Sequence, residues 1–389
     1  LGDSVKRNPP PGALQEQPFP AIPIIRPTLP GLDDVLHEVR RSYLSGVVTL
    51  GELVGLLEEE IKRFAHVPHA VAVSSCTSGL IAALSALAFP EGAEVVVPSF
   101  TFAATVQPLL WNRLTPVYVD CLPGTMTVDP DEVVKAVGPK TSAICGVNVY
   151  GLPPDVDPLE ELSRKYGLAL LFDSAQGLGA TYGGRPVGGF GACEVFSLSP
   201  TKVITAIEGG VVTTRDEALA VKLRSMRDYG KGPDGEEMVL TGLSARMSEL
   251  HAAVGLLSLR QAESLISSRL RLIRKYRERL TDLQGCRFQD FPGDRRTSGN
   301  YFILLVGETA KVNRDTLHAA LKSYGIQTKR YFYPPVHAQR AFQSYPHRVV
   351  GDLSHTWSAS RHALALPLFA HMTDDEHSRV CDVLESCLR

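Results

Sequence analysis

Apolar residues along this chain fall into two alternating rhythms. Short runs with little polar interruption lie at 71–73, 94–97, 116–119, 142–147 and in LALLF at 168–172. Between them, longer segments place apolar residues three or four positions apart. In the segment 51–64, Leu53, Val54, Leu57 and Ile61 share one helical face, and Glu58, Glu59 and Glu60 are expected to face water. Further helices are predicted over 32–44, 77–87, 130–137, 159–166 and 217–227. The short runs read as strands buried on both faces. Their alternation with helices predicts a mostly parallel sheet covered on both sides.

The rhythm changes towards the C-terminus. A polar, glycine-rich loop, DYGKGPDGEEMVLTGLSARM, is followed by a long helical stretch over 248–280. Beyond it come a strand at 301–306, a helix at 314–324 and a last helix capped by Thr373. The expected organisation is a large domain at 31–265 and a smaller α/β domain at 266–389. Residues 1–30 hold eight prolines and read as an extended arm. Within it, FPAIPII is apolar enough to pack on another surface, such as a partner subunit.

Composition narrows the function classes. The chain has 389 residues, 44% of them hydrophobic, and a formal net charge of −2. That balance leaves no electrostatic footprint for nucleic acid. No apolar run approaches the ~20 residues of a membrane span. Seven scattered cysteines without a CxxC pair argue for a reducing compartment and against structural zinc. A cytoplasmic protein without a metal site is expected.

Most of the candidate chemistry lies between 172 and 213. One strand ends in Asp173, with Gln176 three residues on. A second, EVFSLS, leads to Thr201 and Lys202, and Glu208-Gly209-Gly210 precedes a third β-branched run. Singly, an aspartate at a strand end or a lone lysine is ordinary. Together they suit pyridoxal 5′-phosphate, which needs a lysine for its aldehyde and an acid for its ring nitrogen. Once displaced by a substrate amine, the lysine becomes a positioned general base. The turn from strand 71–73 into helix 77–87 offers free backbone N–H groups to a phosphate. Thr77, Phe102, Asp120, Asp173 and Lys202 all fall at or just past strand ends, where ligands gather in such sheets. Asp120 is read as structural and His251 as a packed helix residue.

The motifs DSAQ, FSLSPTK and EGGVVTT resemble those of the sugar-aminotransferase family DegT/DnrJ/EryC1/StrS, of aspartate-aminotransferase fold type I. The resemblance runs from about Val48 to near the C-terminus. It implies a three-layer α/β/α large domain, a smaller C-terminal α/β domain, and a homodimer with its site shared between subunits. Lys202 would be catalytic, Asp173 would meet the ring nitrogen, Phe102 would lie over the ring and Gln176 would bond its phenolic oxygen. Cys76, Thr77 and Ser197 would hold the phosphate, Cys76 standing where the family usually has glycine. Ser244 of a partner subunit would stand where the family has asparagine. Arg330, Tyr331, Tyr333 and His337 would line the substrate mouth.

The implied reaction takes an amino group from L-glutamate, leaving the cofactor as pyridoxamine phosphate. It then passes the group to a keto sugar on a nucleoside diphosphate, in deoxysugar biosynthesis for an antibiotic. A keto-cyclitol acceptor would use the same core. Lys202 argues against the related dehydrases, which carry histidine there, and the Asp173, Gln176, Lys202 set argues against an idle sensor or scaffold. No GxGxxG-plus-acid fingerprint, P-loop or HExxH helix competes.

Overall fold

The structure is a computed structural model and describes residues 21–389. Its centre is an eight-stranded sheet. In spatial order the strands are His69–Val73, Gly210–Thr214, Cys193–Ser197, Ala169–Asp173, Thr141–Val147, Glu94–Pro98, Thr115–Val119 and Arg348–Val349. Only Gly210–Thr214 runs against its neighbours. The expectation of a mostly parallel sheet therefore holds.

Successive strand residues point to opposite faces, and the sequence uses both. Ala70, Ala72 and Val96 join one apolar layer with Leu57, Ile61 and Leu159. Val71, Val73, Val95 and Val97 join the other with Leu80, Leu84 and Leu109. Each fully buried Val or Leu contributes about 1.5–3 kcal/mol, so the two layers fix the register of every strand. That register places the strand ends, and with them the site.

Three expectations change. Glu58 does not face water: it is buried, pairs with Arg227 and accepts the Ala72 N–H at 2.9 Å. The stretch over 248–280 is two helices, Glu249–Arg260 and Ala262–Arg279, broken at Gln261, whose ψ of 3° is not helical. The described residues of the arm's apolar stretch, 21–25, pack on their own chain through Ile22, Ile24 and Ile25. Ile22 is buried among Leu317, Ile326 and Leu384 and exchanges backbone hydrogen bonds with Gly325 and Gln327. The rest of the predicted arm, residues 1–20, lies outside the described residues.

The C-terminal core forms around an antiparallel sheet of Cys286–Phe288, Phe302–Val306 and Ala363–Leu366. Tyr276, Phe302, Leu364 and Leu384 fill it. Packing does not follow chain order, however. Val336 and Phe342 join the layer of Leu80 and Leu84, and Arg348–Val349 pairs with Val117 and Tyr118.

Candidate active site

A cavity of about 320 Å³ opens where the parallel strands end. Its wall brings together Cys76, Thr77, Phe102, Asp173, Gln176, Ser197, Lys202 and Tyr331 from the sequence-predicted set. All but Tyr331 arrive at or after the ends of four strands, His69–Val73, Glu94–Pro98, Ala169–Asp173 and Cys193–Ser197, so one sheet edge assembles the group.

The floor is Asp173, buried at the end of the Ala169–Asp173 strand. Its Oδ2 accepts the Thr105 hydroxyl at 2.6 Å, and its Oδ1 accepts the Ala175 N–H at 3.1 Å. The Thr101 and Thr105 hydroxyls are 2.7 Å apart, and with the Thr105 proton given to Asp173 it is Thr101 that donates. Burial pushes the carboxyl up, and Thr105, Ala175 and the Lys202 charge act against that shift. These donors favour the ionised form that a protonated ring nitrogen requires.

Lys202 follows the Cys193–Ser197 strand and stands half-buried in the cavity wall. Burial holds it below the ordinary lysine range, against the raising influence of Cys76 and Asp173. Among the described residues it has no ion pair. A desolvated, unpaired lysine is primed to act as a nucleophile or a base.

The helix Cys76–Leu87 starts beside this lysine. Ser75 caps it, its hydroxyl taking the Ser78 N–H while the Ser78 hydroxyl takes that of Ser75. This capping box leaves the N–H groups of Cys76 and Thr77 as first-turn donors, aligned with the positive end of the helix dipole. Gly210 explains part of the EGG motif. A Cβ there would lie 2.5 Å from the Cys76 nitrogen, so the strand can pass this helix end only as glycine. The Cys76 thiol turns inward, 3.5 Å from the Val195 carbonyl and 3.9 Å from Asp173 Oδ1. Burial pushes it well above the ordinary thiol range, so it is no nucleophile.

Phe102 stands 55% exposed at the cavity, its ring tilted towards Phe332 at 6.3 Å. An aromatic left open beside a cavity is a platform for a planar ligand. The Gln176 side-chain oxygen is buried without a hydrogen-bond partner. Orphaned acceptors are costly, and a ligand supplies what the protein does not. With Asp173, Lys202 and the free helix N–H groups, the wall fits pyridoxal phosphate.

Some predicted residues lie elsewhere. His337 stands behind the cavity, its Nδ1 2.5 Å from the Ser99 hydroxyl and its ring edge-on to Trp357. Arg330 pairs with Asp315 at 3.2 Å and lies over the Tyr333 ring; neither it nor Tyr333 lines the cavity. Ser244, expected to serve a partner's site, is exposed and bridges to Asp228. Asp120 is structural as expected: it accepts the His355 and Thr356 N–H groups at the start of helix Ser354–His362. His251 belongs to a helix cap with Ser248. Thr105, Asn148, Tyr301 and Phe332 were missed. They are neutral residues on a strand-flanking position (Asn148, Tyr301), in the first turns of a helix (Thr105) or in a loop (Phe332), and none carries a charge to mark it.

Among the described residues no cluster of three His, Cys, Asp or Glu could hold a metal, and no helix is long and apolar enough to cross a membrane. The sequence model of the DegT/DnrJ/EryC1/StrS aminotransferase family matches residues 32–385. The chain belongs to that family. It is 32% identical over 376 residues to GDP-perosamine synthase of Caulobacter vibrioides, covering 95% of this chain and 99% of that protein. The crystal structure of DesI with its TDP-sugar product superposes with a TM-score of 0.88 at 36% identity, covering 94% of this chain and 93% of the other. DesV of S. venezuelae gives 0.86 at 31% identity, covering 95% and 98%. As a DegT/DnrJ/EryC1/StrS protein, the chain is a pyridoxal phosphate-dependent aminotransferase.

Proposed function

We propose that this enzyme moves an amino group from L-glutamate to a keto sugar carried on a nucleoside diphosphate. A sugar substrate is supported by the relatives, whose names include a GDP-sugar synthase and an enzyme with a TDP-sugar product. The observation that carries the reading is the half-buried, unpaired Lys202 amine sharing one cavity with Asp173.

Pyridoxal phosphate supplies an electron sink for the carbanion formed when an amino acid loses its α-proton. With the cofactor bound, Lys202 would hold its aldehyde and, once freed by the substrate amine, would be the base for the α-proton. Asp173, held by Thr105 and Ala175, would face the ring nitrogen as an anion, and Phe102 would lie against the ring. The Cys76 and Thr77 N–H groups, with the Ser197 hydroxyl, would hold the phosphate, and Gln176 would meet the phenolic oxygen. In the second half, Lys202 would return the proton to the carbon of the sugar that gains nitrogen. Tyr331 at the cavity wall is a sugar contact.

The working form is a homodimer in the cytoplasm, with Ser244 of one subunit reaching the other's phosphate. Leu32, Leu36, Tyr43, Leu44 and Val48 are all more than half exposed in and just after the helix Leu32–Ser45. Such a patch marks an interface. The product belongs to secondary-metabolite deoxysugar chemistry. Incubation with L-glutamate and candidate acceptors, followed by mass spectrometry, tests the reading. Formation of 2-oxoglutarate and an aminated nucleotide sugar is expected. Amination of inosose-type cyclitols alone would move the enzyme to the keto-cyclitol branch.

A further inference from the structure

Asn148 follows the Thr141–Val147 strand and stands in the cavity wall, 2% exposed. Its backbone N–H donates to the Asp173 carbonyl at 3.1 Å. Behind it lies Glu194, wholly buried in the Cys193–Ser197 strand. Glu194 Oε1 accepts the Gly188 N–H at 2.6 Å and the Phe190 N–H at 2.9 Å, and Oε2 accepts the Ser174 hydroxyl at 2.6 Å. A hydroxyl has one proton. Given to Glu194, it leaves the Ser174 oxygen as an acceptor only, and the Asn148 amide nitrogen donates to it at 3.1 Å. The carboxylate therefore dictates which way round the amide sits. Gly177 closes over it, since a Cβ there would lie 2.1 Å from the amide nitrogen. The amide carbonyl and one N–H remain for the cavity, in the wall that also holds Asp173 and Gln176.

We propose that Asn148 contacts the polar edge of the bound cofactor with this fixed amide, and that Ser174 and Glu194 are the positioning residues that fix it. The inference rests on the reading of the cavity as a pyridoxal phosphate site. Glu160 of helix Val156–Tyr166 is the titratable group that acts on Glu194, and the Cys193 thiol beside it on the same strand stays neutral because burial pushes it up to about 12. Arg215 bonds the Gly189 carbonyl instead, and Glu194 has no ion pair among the described residues. Burial pushes Glu194 up to about 7. Below that value the acid donates to Ser174, the Ser174 proton is released to point the other way, and the amide loses its single orientation. A glutamine at 194 does the same at every pH. Its oxygen is claimed by two backbone N–H groups, so its amide nitrogen must face Ser174.

The test is the dissociation constant of pyridoxal 5′-phosphate for the full-length apoprotein, read by absorbance from about pH 6 to about pH 8.5. Asn148→Ala is expected to weaken binding about tenfold at the upper end. Ser174→Ala and Glu194→Gln should show there the weaker constant that wild type shows at the lower end. The wild-type to variant ratio cancels the pH dependence of Lys202 itself, and it should shrink towards one as pH falls through about 7. Ser174→Ala and Glu194→Gln proteins that match wild type at every pH would overturn the relay, even if Asn148→Ala weakens binding. Ser174→Ala leaves both backbone contacts of Glu194 in place and decides the matter if Glu194→Gln fails to fold. A wild-type protein that binds no cofactor would instead sink the reading of the cavity.

Discussion

The reaction centre rests on a few side chains whose protonation the protein controls. Burial disfavours the charged form of both Lys202 and Asp173. What keeps Asp173 useful as an anion is its set of donors, and Thr105 is the shortest contact at 2.6 Å. Thr105→Val should therefore weaken pyridoxal phosphate binding about tenfold, as expected for losing a hydrogen bond to a charged group. Equilibrium titration of the apoprotein checks this, and a wild-type constant would contradict it. Lys202, Asp173 and Gln176 were legible in the sequence because charged or amide residues just past apolar strands stand out. Thr105 and Asn148 were not, because a threonine or asparagine acquires meaning only from the residue it meets across the fold. Arg330 and His337 show the converse: their types suggest ligand contact, but Asp315 and Ser99 hold them outside the cavity wall.

At the scale of elements, hydrophobic spacing was sufficient to place the main strands and most helices. It failed where tertiary contacts decide. The break at Gln261 carries no glycine or proline to announce it. Glu58 sits in an acidic triplet that looks solvated, yet Arg227 and the Ala72 N–H draw it inward. Glu194 is likewise a polar residue inside an otherwise apolar core strand, and it makes stability depend on pH. Its folded value near 7 lies above the unfolded value of about 4.3. Between these limits the folded state holds a proton that the unfolded chain has lost. Its contribution to stability is therefore present at low pH, declines as pH rises through that window, and is flat above it. Relative to Glu194→Gln, the wild-type apoprotein should lose stability between about pH 4 and about pH 7 in urea denaturation. Parallel curves for the two proteins would contradict the assignment.

For the whole molecule, the fold brings five strand ends to one sheet edge, and the second apolar core closes over the long helix and the C-terminal sheet. Sequence spacing did not reveal that Ile22 and Arg348–Val349 cross back to distant elements, because a single residue and a two-residue strand have no periodicity to read. The exposed apolar residues around Leu32–Ser45 are the molecule's clearest unfinished surface. Replacing Tyr43 and Leu44, 75% and 73% exposed, by aspartate should convert the proposed dimer to monomers in sedimentation, with the fold intact by circular dichroism. An unchanged sedimentation coefficient would place the interface elsewhere. Everything in the proposed reaction turns on Lys202 as the residue that binds the cofactor and moves the proton. Borohydride reduction of the pyridoxal phosphate-loaded enzyme, followed by peptide mass mapping, reads this out at the residue itself. A pyridoxyl group fixed to the peptide that contains Lys202 is expected, and none after prior exposure to excess L-glutamate. A label on another lysine, or no label on cofactor-loaded protein, would contradict it.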